Sequence, residues 1–256
     1  MKKLMVSLAL LASCSVNATD FTVQITNLTG GSYFTPFLVT AHDSGTRLFS
    51  SGGVASANLQ AMAEGGDISG LSAYVTAINA TVAENPAGGL LAPGASTSVS
   101  LNTDNAPDNN ALSIVAMILP SNDGFMGLNG VSIPTEPGTY TFNVPGYDAG
   151  TEGNDEIIGS GAPGEPGYPA PPPVAASSGT GGSGVDATAE GYVHIHRNVL
   201  GDTNISGGNS DIVSTIHRWL NPVVRVTITV NKVGADHEKT HSIYQRCGVC
   251  IARRLQ

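Results

Sequence analysis

Short alternating runs, punctuated by turn-forming residues, set the strongest limit on what this chain can fold into. In Phe21-Thr22-Val23-Gln24-Ile25-Thr26, apolar side chains fall at every second position. A strand sends successive side chains to opposite faces, so Phe21, Val23 and Ile25 share one buried face. Residues 97–101 and 140–144 repeat that period, and residues 223–230 are rich in Val, Ile and Thr, as strands are. Residues 33–41 and 111–119 are more continuously apolar and suit central strands. Gly, Asn, Asp and Pro separate these runs. Residues 54–64 change period: Ala55, Leu59 and Met62 recur at spacings of four and three, and Gly65-Gly66 follows as a stop. The pattern predicts an all-β fold, an antiparallel β-sandwich with one short helix.

Residues 159–184 break the pattern. They hold Pro-Gly-Glu-Pro-Gly, then Ala-Pro-Pro-Pro, then a Ser/Gly/Thr run. Without apolar periodicity they predict a long flexible loop that buries no core. The segment after them is too short to fold alone, so the loop is an insertion in one domain spanning 19–233. Residues 234–256 fall outside it. That tail carries His237, His241, Cys247 and Cys250, which leaves three readings open: a disordered extension, a local disulfide, or a zinc site of atypical spacing.

The chain begins with Met1-Lys2-Lys3 and a short apolar run over 4–12. Spanning a bilayer takes about 20 apolar residues, so this run has the size of a signal-peptide core instead. Cleavage after Val16-Asn17-Ala18 makes 1–18 a signal peptide and predicts a secreted or periplasmic protein. Leu11-Ala12-Ser13-Cys14 offers the alternative of a lipid-anchored Cys14. No later stretch is apolar enough for a transmembrane helix. With Cys14 removed, Cys247 and Cys250 are the remaining cysteines, which excludes a disulfide framework for the body of the fold.

Charge is sparse, at 12% of residues, and unevenly placed. Between Arg47 and Arg197 there is no Lys or Arg, while the same stretch carries fourteen carboxylates. Nucleic-acid binding needs clustered cations and is excluded. Bound divalent cations would neutralise such a surface; simple solvation of the acids is the plainer reading for most of them. Two acidic loops stand out, each directly after a predicted strand: Pro120-Ser121-Asn122-Asp123-Gly124-Phe125-Met126-Gly127-Leu128 and Tyr147-Asp148-Ala149-Gly150-Thr151-Glu152-Gly153-Asn154-Asp155-Glu156. Calcium takes six to eight oxygens from carboxylates and carbonyls. Two loops meeting at one end of a sandwich can supply them, although such loops are also ordinary turns.

The chain resembles the spondin N-terminal domain family in its bacterial secreted form. The resemblance rests on Tyr33-Phe34-Thr35-Pro36-Phe37 with Ala41-His42, Gly52-Gly53-Val54-Ala55-Ser56 leading to Ala63-Glu64-Gly65-Gly66, and Met117-Ile118-Leu119-Pro120-Ser121-Asn122-Asp123 with Gly127-Leu128. Tyr147-Asp148-Ala149-Gly150-Thr151-Glu152 and Trp219-Leu220-Asn221-Pro222-Val223-Val224-Arg225-Val226 complete it. It implies a C2-like β-sandwich with a calcium (Ca2+) site at one end, and a module of adhesion or recognition whose partner is an extracellular glycan or protein. By position it implies Asp123, Asp148 and Glu152 as metal ligands. The family usually has Asp where this chain has Glu152, so Asp155 is a substitute candidate. The family's aromatic directly after Asp123 is displaced here to Phe125 by Gly124.

Tyr192-Val193-His194-Ile195-His196-Arg197 offers secondary candidates. In a strand His194 and His196 face the same way and can bind zinc or copper with a third ligand from elsewhere, though none is evident in the sequence. A hydrogen-bonded strand face is the plainer reading. Trp219 reads as core packing beside Pro222. Gly-x-Ser-x-Gly, His-Glu-x-x-His and the Walker loop are all absent. The sequence therefore predicts a secreted, calcium-binding, non-enzymatic module, with two alternatives: a glycan hydrolase using the acidic loops, and a periplasmic transition-metal protein using His194 and His196.

Overall fold

The computed structural model describes residues 20–231. Its first half contains strands β1 (Asp20–Asn27), β2 (Tyr33–Phe34) and β3 (Leu38–His42), helices α1 (Ala57–Gly65) and α2 (Ser69–Ala77), then β4 (Thr81–Glu84), β5 (Ser96–Asn102) and β6 (Ala111–Leu119). The second half contains β7 (Gly124–Ser132), β8 (Gly138–Val144), β9 (Gly146–Asp148), β10 (Ile158–Gly159), β11 (Tyr168–Pro169), α3 (Pro172–Ala175), β12 (His194–Ile195), α4 (Ser214–His217) and β13 (Val224–Val230). The signal segment 1–18, Cys14, and the tail with its histidines and cysteines lie outside the described residues.

Two antiparallel sheets carry the core, as the alternation predicts. The first runs β5-β1-β13-β8. Phe21 stands opposite Leu101 and Val230, and Val23 opposite Ile228, so one face is apolar and buried. The opposite face is polar: Thr22 and Ser100 hydroxyls pair at 3.1 Å, and Thr26 and Ser96 at 2.8 Å. The second sheet runs β12-β9-β7-β6-β3-β4, with β2 also paired to β6. β6 is buried at every position. α1 packs on β6 and β7, α2 packs on β3, and one apolar cluster takes in side chains from both sheets. Full burial of each Leu, Ile or Phe in that cluster stabilises by roughly 1.5–3 kcal/mol.

Local chemistry accounts for where the elements stop. The Ser56 hydroxyl accepts the Leu59 amide at 3.1 Å and caps α1. Gly66 ends it at φ 73°, a left-handed conformation that suits glycine, and donates its amide to Met62. The predicted helix is thus present, shifted by about one turn at its start. A second helix, α2, was not predicted. Its sequence, Ser-Gly-Leu-Ser-Ala-Tyr-Val-Thr-Ala, has weak helix formers, and Leu71 and Val75 are its only large buried side chains. Packing against α1 holds it. The apolar stretch 33–41 divides into β2 and β3 around Pro36, which has no amide to give to a ladder.

The expectation that 159–184 buries no core is corrected. Tyr168 and Val174 are fully buried, β10 and β11 pair in parallel, and α1 contacts β11. Carboxylates substitute for apolar periodicity as the anchors. Asp211 accepts the amides of Gly182 at 2.9 Å and Ile158 at 3.0 Å, and Glu64 accepts that of Gly164 at 2.6 Å. No described helix is long and apolar enough to cross a membrane.

Candidate metal centre

Three neighbouring strands place the chemistry at one sheet edge. Gly124 of β7 stands opposite Asp148 of β9, which stands opposite His194 of β12. Asp123 directly precedes β7, so its carboxylate sits beside that row. Beneath the row, Phe49, Phe125 and Tyr147 pack ring against ring at 4.9–5.6 Å. These rings hold Tyr147, next to Asp148, and Phe125, two residues after Asp123.

The loop after β9 wraps around Asp123. The Asp123 carbonyl accepts the Ala149 amide, and its Oδ2 accepts the amides of Thr151 at 2.8 Å and Glu152 at 3.2 Å. Its Oδ1 is buried and accepts no hydrogen bond among the described residues. Gly150 makes the wrap possible: at φ 66° it lies against the Tyr192 backbone, where a Cβ would collide. Asp148 is equally buried. Its Oδ1 accepts the Gly150 amide at 2.8 Å and its Oδ2 the Asn154 amide group at 3.0 Å. Burial, and then the nearby charge of Asp148, push the Asp123 carboxyl well above the usual carboxylate range.

Glu152 and Asp155 are turned elsewhere. Glu152 Oε1 accepts Asn122 Nδ2 at 2.7 Å and the Gly167 amide at 2.5 Å, which ties it to the Pro/Gly-rich segment. Burial raises its pKa to about 7 despite those bonds. Asp155 Oδ1 accepts Asn122 Nδ2 at 2.7 Å and the Ile157 amide at 3.0 Å. Asn122, which the sequence reading did not single out, therefore bridges both acidic loops.

The two histidines do share a face, and both address Asp148. His194 Nδ1 lies 3.0 Å from the Ile195 carbonyl oxygen, so in the neutral ring it carries the proton. His194 Nε2 then presents a lone pair, 3.6 Å from Asp148 Oδ1 and 3.8 Å from Glu190 Oε1. His196 has the opposite tautomer. Its Nδ1 accepts the Asn198 amide at 2.9 Å, which leaves the proton on Nε2, 3.9 Å from Asp148 Oδ2. Burial holds His196 neutral, with its pKa lowered to about 4. Gly124 gives this ring its room: a Cβ there would lie 2.9 Å from His196 Cδ2.

Among the described residues, Asp148, Glu190 and His194 form the group of three whose ligand atoms all lie within 4.8 Å of one another. Asp123, Asp148 and Glu152 do not form such a group. Sequence reasoning missed Glu190; its one signal is the four-residue separation from His194 across Gly191. Calcium, which the family resemblance implies, fits part of this end. Asp123 offers a buried, unpartnered carboxylate oxygen beside Asp148, the hard oxygen donor calcium takes, and loop carbonyls and water would complete its shell.

The antiparallel sandwich and its acid-lined sheet edge define a class of β-sandwich module. The family described as Spondin_N matches residues 18–165. That is more than half of the chain, which therefore belongs to the spondin N-terminal domain family. Glu190, His194 and His196 fall beyond the matched segment. No curated protein matches the chain.

Proposed function

We propose that the protein is an extracellular recognition or adhesion module, exported by its N-terminal signal, whose apical loops are stiffened by calcium. Family membership and the all-β fold both point to a non-enzymatic module. The observation that carries the calcium reading is the pair Asp123 and Asp148. Both are fully buried, in a stretch of 149 residues without Lys or Arg, and Asp123 keeps one oxygen without a donor among the described residues. Two buried carboxylates side by side repel unless a proton or a cation lies between them. Calcium at Asp123 and Asp148, with carbonyls of the two loops, would neutralise them and lock the loop after β9 against β7. Weak calcium sites are filled outside the cell, where affinities of about 10⁻⁴–10⁻³ M suffice.

The partner of such a surface is an extracellular glycan or protein. The test of the metal reading is a melt in calcium and in EDTA. Calcium should raise the melting temperature by several degrees, and Asp123→Asn should abolish the rise. Equal melts in both conditions, with no calcium copurifying, would remove this reading.

A further inference from the structure

We propose that Asp148, Glu190 and His194 form a second metal seat, selective for a zinc-class divalent transition ion rather than calcium. It goes beyond the calcium reading and does not rest on it; the two share Asp148.

The tautomer of His194 carries the argument. The Ile195 carbonyl can only accept, so Nδ1 of the neutral ring is the donor and Nε2 is a bare lone pair. That lone pair faces two carboxylate oxygens, Asp148 Oδ1 at 3.6 Å and Glu190 Oε1 at 3.8 Å. In the neutral ring three acceptors converge with no hydrogen between them, which is repulsive until a proton or a metal cation enters. Zinc binds imidazole and carboxylate at about 2.0–2.2 Å, so two of its tetrahedral ligand atoms lie about 3.4 Å apart. The observed separations are within a few tenths of that value. Metal-bound histidines commonly donate the other ring N–H to a backbone carbonyl, the bond His194 makes.

Independent observations point to the same place. His194 Nε2 and Glu190 Oε2 are both buried atoms without a hydrogen-bond partner among the described residues. His196, only 4% exposed, directs an equally unpartnered Nε2 at Asp148 from the other side. Because His196 Nδ1 accepts the Asn198 amide, its Nε2 carries a proton and faces Asp148 at 3.9 Å as an N–H rather than as a ligand lone pair. Asn154 Nδ2 donates to Asp148 at 3.0 Å and to Glu190 at 3.4 Å. Each ligand carboxylate therefore has an outer hydrogen-bond partner, which orients the donors of a metal site. Arg197, the nearest cation in sequence, lies against Asp186 at 3.9 Å. The side chains of His194 and Glu190 keep 23% and 25% of their surface exposed, so an ion reaches the seat from solvent and water can take its fourth position. An imidazole among the ligands favours zinc-class ions over calcium, which prefers oxygen alone.

The test is zinc titration of the purified, chelator-stripped chain by calorimetry, with melts in zinc, calcium and EDTA. The expected result is one zinc per chain at this seat. His194→Gln and Glu190→Gln should each weaken that zinc by roughly 100-fold or more, while their EDTA melts stay within a few degrees of the parent. They should leave the calcium-induced melting shift in place. Asp123→Asn should remove the calcium shift and keep the zinc, so failure of one reading is visible apart from failure of the other. Cys247→Ser with Cys250→Ser controls for the tail. The seat is overturned if zinc does not bind, if His194→Gln binds it as tightly as the parent, or if all zinc is lost with the two cysteines.

Discussion

Two sets of buried or half-buried acids occupy the loops of this protein, and they are treated oppositely. Glu156 and Asp211 have every carboxylate oxygen taken. Glu156 accepts the amides of Leu200 at 2.5 Å and Gly201 at 2.8 Å and the Ser210 hydroxyl at 2.7 Å. Asp211 accepts Gly182 and Ile158. Elsewhere in the loops, Asp123, Glu152 and the half-buried Glu190 each leave an oxygen without a donor among the described residues, and His194 leaves Nε2 without a partner. Buried polar atoms are nearly always paired, because an unpaired one costs about 1–3 kcal/mol. The first set is architecture: anions that replace a hydrophobic core in a Gly/Pro-rich region. In the second set, Asp123, Glu190 and His194 turn their unpaired acceptor atoms to places where a cation would pair them. Charge is alike in the two sets, and burial differs mainly at Glu190, which keeps 25% of its side chain exposed, so satisfaction of hydrogen bonds is what separates scaffold from candidate site.

The contrast can be broken most sharply at Glu156. Glu156→Ala strips three donors of their acceptor at once, the buried Ser210 hydroxyl and the part-buried Leu200 and Gly201 amides. It should destabilise by at least about 3 kcal/mol, a fall of roughly 6–12 °C in melting temperature for a domain of this size. A loss of under about 2 °C would mean the region does not depend on its buried anion.

The architectural set also predicts an acid sensitivity. His217 donates from Nε2 to the Ser177 hydroxyl at 3.0 Å, and its Nδ1 accepts the Val213 amide at 3.2 Å. Burial lowers its pKa from 6.5 to about 4. Above pH 6.5 the ring is neutral folded and unfolded, and stability does not depend on it. Between 6.5 and about 4 the unfolded chain gains a proton that the native chain refuses, so stability falls as pH falls and levels off below about 4. The loss is at most about 3 kcal/mol. Urea melts from pH 7.5 to 4 should show it, and His217→Gln should flatten that limb.

At the site, Gly124→Ala should cost about 1–3 kcal/mol, because its Cβ meets Ser121 Oγ at 2.5 Å and His196 Cδ2 at 2.9 Å. A neutral outcome in a thermal melt would show that the His196 ring is free to move aside. The smallest effect has the opposite sign. Asp123→Asn keeps an oxygen for Thr151 and Glu152 and removes a buried charge beside Asp148. In EDTA it should raise stability by about 1 kcal/mol, whereas the equivalent Asp211→Asn should lower it. A destabilised Asp123→Asn in EDTA would place Asp123 with the architectural acids.

Most of the sandwich was legible because alternation at a period of two is a local property: Phe21, Val23 and Ile25 state their face without reference to any partner. The helix over α1 was legible from its spacing and glycine stop, while α2 was not, since contact with α1 rather than propensity holds it. The Pro/Gly-rich segment was misread for a related reason. Tyr168 and Val174 are buried by anchors up to 100 positions distant in sequence, such as Glu64 for Gly164, and no window of sequence contains both. At the site, Asp123 and Asp148 were singled out by their loops and by resemblance. Glu190 was not, because its meaning depends on His194 and Asp148 standing on paired strands.

The sequence by itself determined the strand faces, the family, the cation-free acidic stretch and the residue types available for chemistry, since each is carried by neighbours along the chain. Only the tertiary structure decided which acids are satisfied and which are not. That outcome depends on donors brought from distant segments: the Thr151 amide to Asp123, the Gly167 amide to Glu152, the Leu200 and Gly201 amides to Glu156. It also decided the tautomers of His194 and His196, which the Ile195 carbonyl and the Asn198 amide set in opposite senses. Two histidines that the sequence presents as an equivalent pair thereby face the same carboxylate differently, one with a lone pair and the other with an N–H.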